Sequence, residues 1–294
     1  MKKNKIIYIG IAILLTAGIG IFSGIKISQY KNEKYNNLKQ ETLDYLGEEH
    51  KKEDIEKKLK TNFQKLSKED TTNIMDVYLH ATYTLASQCM INDEMSNEIY
   101  GCMDENNQFD FDKIKNEETK EFCEIMAEQN IVPRFVNGNL FFDVDYEYFI
   151  KQYGSYMQED YVEVLRLYNE EKLNDYYNSG EEKMYYDTVE KRLLAAYDLM
   201  QKYPDSKVIK SLTEYYSFYK KVYLGAYAQD YIYDTGAILK EDVLSHYMSF
   251  VDKIKDHELK TFLQELIKEY QISERTRTNE IYESIKKFCN ISTD

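Results

Sequence analysis

The chain has 294 residues, 43% hydrophobic and 31% charged, with 38 basic residues against 52 acidic ones and a formal net charge of −14. That balance argues against a nucleic-acid binder, because phosphates demand a basic footprint. Two prolines in the whole length leave room for long helices, and the expected class is all-α, mainly antiparallel helical pairs.

Residues 1–5, MKKNK, read as a short cytoplasmic tail. Residues 6–25, IIYIGIAILLTAGIGIFSGI, carry no charge, and about twenty apolar residues at ~1.5 Å each cross a hydrocarbon core of ~30 Å. The run is longer than the apolar part of a cleaved signal and continues past Thr16-Ala17-Gly18, the best small-residue site, so a retained transmembrane signal anchor is expected. No cysteine precedes Cys89, which excludes a lipidated cysteine here. Lys2, Lys3 and Lys5 are concentrated, whereas Lys26, Lys31, Lys34 and Lys39 are spread and diluted by Glu33. This bias places the tail in the cytoplasm and the bulk of the chain outside it, in a single-pass cell-membrane topology. The inverted topology is the alternative. Gly20 and Gly24 have G-x-x-x-G spacing, which permits close approach of a partner helix and a homodimer, although glycine is common in spanning helices anyway.

Residues 26–66 hold ten lysines against eight acids and few apolar residues, patchily recurring at Ile55, Leu59, Phe63 and Leu66, and read as a partly helical stalk. Residues 67–294 hold twenty-five basic against forty-four acidic residues and read as an acidic helical body, with a subdomain joint expected near 131–145. Ser67 is an N-cap for a helix with the stripe Ile74, Tyr78, Ala81, Leu85 and Cys89. Asn137-Gly138 between apolar runs predicts a small β-hairpin near 132–144, which must pack on a helix because an isolated hairpin is marginal. Ser155-x-x-Gln158 and Ser179-x-x-Glu182 have capping-box spacing ahead of two amphipathic runs, Tyr161 to Tyr168 and Tyr185 to Tyr203. Helices with stripes Val208 to Ala226, Val243 to Ile254, Leu259 to Tyr270 and Tyr282 to Phe288 follow.

The aromatic helix that ends in KYPDS, residues 202–206, and turns into another helix resembles the inter-helix turns of membrane-anchored, tetratricopeptide-like helical surface proteins of Gram-positive bacteria. The resemblance covers about residues 180–270. The fixed 34-residue period of a tetratricopeptide array is absent. It implies a helical interaction surface and carries no catalytic residue.

Cys89, Cys102, Cys123 and Cys289 are even in number, and outside the cytoplasm disulfides among them are permitted; buried free thiols are the equal alternative. Asp104, Asn106, Gln108, Asp110 and Asp112 alternate as calcium ligands would. Phe109 and Lys115 stand where that loop needs glycine and a bidentate glutamate, so an acidic solvated loop is the better reading and no metal or cofactor is expected. Asp143, Asp145 and Glu147 would supply paired carboxylates to a cell-envelope hydrolase; the plainer alternative is that Asp143 or Asp145 caps the helix beginning near Tyr146. His50, His80, His246 and His257 are scattered, and neither a nucleophile elbow nor a phosphate loop occurs.

Twenty-nine tyrosines crowd most densely at 215–233, where Tyr216, Tyr219, Tyr223 and Tyr227 share one side of a helix. An apolar ring with a polar tip suits an interface; it also suits a wet-edged core, which fits tyrosines spread through nearly every helix. The preferred function is therefore a non-catalytic, membrane-tethered, extracytoplasmic helical module that binds a protein or cell-wall partner, and the rival is the hydrolase.

Overall fold

The computed structural model describes residues 33–47, 50, 52–103, 109–136, 139–178, 183–226 and 231–291. They form twelve α-helices and three two-stranded antiparallel pairs, as the low proline content and the 3.6-residue stripes require. Among the described residues no helix is long and apolar enough to cross a membrane. The expected anchor at 6–25, with Gly20 and Gly24, lies outside them. The chain divides into two compact units, 1–173 and 174–294.

In the first unit, α1 (Glu33–Leu46) and α2 (Lys52–Phe63) correct the stalk reading. They pack on each other, and α1 packs on α3 (Lys68–Ser87), with Leu43, Leu46, Ile55, Leu59 and Phe63 buried. The apolar residues that looked patchy recur at steps of three and four, a narrow stripe that sufficed to dock both helices. Polar contacts tie them further: Asn62 donates to Thr42 Oγ1 at 2.8 Å in the interior, and Lys39 pairs with Asp70 at 2.5 Å. Ser67 caps α3 as expected, its hydroxyl accepting from the Asp70 amide at 3.1 Å.

Next come α4 (Asp93–Gly101), α5 (Glu117–Glu128) and the hairpin β1 (Ile131–Val136) with β2 (Asn139–Val144). The register Val136↔Asn139 leaves two residues for the connection, as the Asn-Gly signal predicts, and those two residues lie outside the described set. The hairpin lies inside the first unit, docked on α3 through β2 and on α5 through β1. The chain then forms α6 (Tyr146–Tyr153) and α7 (Glu159–Leu173), which pack together. Ser155 does not cap α7: it falls in a 3₁₀ turn, 154–156, and the Gln158 amide instead donates to Thr72 Oγ1 at 2.8 Å.

The second unit opens with the strand pair β3 (Tyr177–Asn178) and β4 (Lys183–Met184), and Ser179 and Glu182 lie outside the described residues. The pair α8 (Tyr186–Lys202) and α9 (Ile209–Tyr223) follows, joined through the YPDS turn, where Ser206 Oγ accepts from the Val208 amide at 3.1 Å. Then come β5 (Tyr233–Asp234) with β6 (Ile238–Leu239), α10 (Glu241–Phe250), α11 (His257–Ile272) and α12 (Asn279–Phe288). The core centres on Leu193, Tyr219, Tyr223, Tyr247, Phe250, Leu263 and Tyr270. Arg192, buried among them, donates to the Tyr219 hydroxyl at 2.6 Å and to the Asn174 carbonyl.

Candidate functional site

The first unit contains an open cleft of about 320 Å³. One wall is α3, where Asp76, Leu79, His80 and Tyr83 stand three and four residues apart and so share a face. The same spacing on α7 presents Tyr161, Leu165, Tyr168 and Lys172, with Glu171 beside them, and Tyr146 enters from the first turn of α6. Leu79 and Leu165 are buried, as are Tyr146 and Tyr161, whereas Tyr83 is 49% exposed.

The tips are ordered by one another. The Tyr161 hydroxyl donates to Asp76 Oδ1 at 3.0 Å, and the Tyr146 and Tyr168 rings lie 5.8 Å apart. Burial, followed by the nearby charges of Asp76 and Asp143 respectively, drives the Tyr161 and Tyr146 hydroxyls well above the usual phenol range, so both remain hydrogen-bond donors at physiological pH. Lys172 Nζ sits 2.8 Å from Asp143 Oδ2, whose side chain is 7% exposed. Burial opposes the Lys172 charge, yet the attraction of Asp143 and the hydrogen bond to it prevail and raise the ammonium above its ordinary value. The one lysine of the cleft is thereby neutralised. The rest of the lining is the exposed Tyr83, the half-buried Tyr168, the buried Tyr146 and Tyr161, His80, and the acidic side chains of Asp76 and Glu171, a set suited to a cation through ring faces and carboxylates.

Of the sequence candidates, only Asp143 touches this site. Its Oδ1 accepts from the Val144 amide at 2.8 Å, while Asp145 caps α6 by accepting from the Tyr148 amide at 3.0 Å, and Glu147 is exposed in the first turn. The three acids thus take three separate structural roles. Asp110 Oδ1 accepts from the Asp112 amide at 3.1 Å and its Oδ2 pairs with Lys113 at 3.3 Å; Asp104 and Asn106 lie outside the described residues.

Tyr216, Tyr219 and Tyr223 are 7, 0 and 0% exposed, which corrects the reading of them as an interaction stripe; Tyr227 lies outside the described residues. Their hydroxyls are engaged inside the unit, Tyr216 donating to Asp256 Oδ2 at 2.7 Å, Tyr223 to Glu190 Oε1 at 3.1 Å, and Tyr219 accepting from Arg192. All four cysteines are free thiols. Cys102 and Cys123 share an apolar cluster with Ile99 and Ile114, and burial pushes Cys123 up to about 12 and Cys89 and Cys289 up to about 11.

The cleft could not be assembled from the sequence because its parts come from residues 76–83, 146 and 161–172, and only the α3 and α7 faces carried a local signal. No family model, curated protein or solved structure matches the chain.

Proposed function

We propose that the chain is a membrane-tethered, non-catalytic interaction module held outside the cytoplasm, whose first unit receives a basic side chain of a protein partner in the tyrosine-lined cleft. The observation that carries this reading is the cleft's chemistry: four tyrosines surround Asp76 and Glu171, and Lys172 is bound to Asp143. A lysine or arginine entering there meets ring faces and carboxylates, each contact worth about 0.5–1 kcal/mol at a partly exposed site. The tether is supported by the uncharged run 6–25, with Gly20 and Gly24 as the face of a dimer within the membrane. The likeness of the KYPDS turn to those of surface-anchored helical proteins of Gram-positive bacteria agrees with this placement.

Calorimetric titration of the full chain in detergent tests the cleft with a short arginine-rich peptide and an uncharged peptide of equal length. The basic peptide binds, and Glu171→Gln and Tyr83→Ala each weaken it about two- to fivefold. Equal binding of the uncharged peptide, or of the two variants, refutes the assignment. The topology is tested by adding protease to wall-stripped cells: digestion of residues 33–294 is expected, and their protection overturns the extracytoplasmic placement.

A further inference from the structure

The second unit brings together Asp187 and Glu190 of α8 and His246 of α10, whose potential ligand atoms all lie within 4.8 Å of one another. The spacing of three residues puts the two carboxylates on one face of α8, and the imidazole arrives from a different helix, so the set is assembled by the fold. We propose that these three side chains form a binding site for a divalent cation of the zinc class. One nitrogen and two carboxylate oxygens are the borderline donor set that such ions take. Bonds of about 2.1 Å require ligand atoms about 3.4 Å apart, a closure within rotamer reach of the exposed Asp187.

The state of Glu190 points independently to a cation. Its side chain is 5% exposed, yet only one contact has ordinary hydrogen-bond length, the Tyr223 hydroxyl at 3.1 Å from Oε1. His246 Nδ1 approaches Oε1 at 3.4 Å and Lys253 Nζ pairs with Oε2 at 3.5 Å, both at the long end of such contacts, so a cation seated closer would hold this buried carboxylate more tightly. Tyr223 donates to Oε1 and Lys253 pairs with Oε2, and the Lys253 side chain, 55% exposed, can turn into solvent and yield its place to an ion. The imidazole is held in place by stacking on the buried Tyr186 ring, with centroids 4.6 Å apart and planes 19° from parallel. These are the supports that orient the ligands of a metal site. Three protein ligands leave an open coordination position toward the exposed Asp187 side.

The site is independent of the cleft in the first unit. Its test is calorimetric titration of the full chain in detergent with zinc chloride, together with the visible absorbance of cobalt chloride, which reports coordination geometry directly. One equivalent of zinc binds and raises the melting temperature. Asp187→Asn, at an exposed position, and His246→Gln each weaken binding at least tenfold, and cobalt gives the intense absorbance of a four- or five-coordinate site in the wild type alone. Lys253→Met removes a competing charge and tightens binding. Equal zinc affinity of wild type and His246→Gln overturns the proposal, as does a Lys253→Met variant that binds no tighter than wild type.

Discussion

Lys172 and Asp143 should respond unequally to mutation, although they make one ion pair. The Asp143 side chain is 7% exposed and Lys172 is 30% exposed. Lys172→Met leaves a carboxylate in the interior with the Val144 amide as its remaining partner, and removing one member of a buried pair costs about 3–5 kcal/mol. The open cleft lets water reach the site, so about 2–4 kcal/mol is expected here. Asp143→Asn keeps the acceptor for the Val144 amide and leaves an ammonium that can turn toward the cleft mouth, which costs about 1 kcal/mol or less. The double variant should recover most of the Lys172→Met loss, because two neutral side chains leave no charge uncompensated. Urea denaturation followed by circular dichroism measures all three, read from the first transition if the units melt separately. A cost for Asp143→Asn equal to or above that for Lys172→Met refutes the reasoning, since it would mean that the lysine is the trapped charge.

Gly225 ends α9 with φ of +71°, and the Ala226 amide closes the turn by donating to the Lys221 carbonyl at 2.9 Å. A Cβ there would lie 2.5 Å from Ile232 Cδ1, so Gly225→Ala should cost about 1–3 kcal/mol in thermal unfolding; a neutral result would show that Ile232 repacks freely. The four thiols are free, and burial raises each of them, so a thiol reagent at neutral pH should reach the buried Cys102, Cys123 and Cys289 only on unfolding, the half-buried Cys89 sooner, and should count four equivalents in the unfolded chain. Rapid native labelling of Cys123, or fewer than four thiols in the unfolded chain without reductant, contradicts this. Alkaline stability should fall steeply above pH 10. Burial lifts the hydroxyl of Tyr78 to about 12 and those of Tyr223, Tyr247 and Tyr270 still higher, so the folded chain holds protons that the unfolded chain releases. This contribution is complete below pH 10, the unfolded value, and is lost at about 1.4 kcal/mol per pH unit for each such tyrosine. Tyrosinate absorbance that rises gradually before unfolding, instead of with it, would refute the assignment of these rings to the core.

Legibility followed the range of the interaction. The Ser67 cap, the hairpin register and the stripes of α3, α8 and α11 depend on residues three or four apart and were readable from the sequence. The docking of α1 and α2 was missed because Leu43, Leu46, Leu59 and Phe63 make a narrow stripe in a lysine-rich segment, and composition outweighed spacing. Buried charge was hidden for a different reason. Glu190 and Arg192 flank the α8 stripe of Val189, Leu193 and Ala196, where charge alone gives no sign of burial; what draws them inward is Tyr223 and Tyr219 on α9, whose hydroxyls meet the carboxylate at 3.1 Å and the guanidinium at 2.6 Å.

The same pairing explains what so many tyrosines do. A phenylalanine core would exclude Glu190 and Arg192, because an unpaired buried charge costs several kcal/mol. Tyrosine supplies the apolar ring and the one polar atom that such a charge needs at its buried end. The hydroxyls of Tyr148 and Tyr216 do this for the half-buried Glu56 and Asp256, while that of Tyr161 meets the exposed Asp76. An acidic chain can therefore place carboxylates against its core with a hydroxyl on the inward side of each. Replacing Tyr223 by phenylalanine should consequently cost more than one neutral hydrogen bond, about 1.5–3 kcal/mol, because the acceptor left behind is charged and buried. Tyr161→Phe, which frees the exposed Asp76 to water, should cost about 1 kcal/mol or less. A loss below about 1 kcal/mol for Tyr223→Phe would mean that water replaces the hydroxyl even at a buried carboxylate and that the tyrosine is interchangeable with phenylalanine.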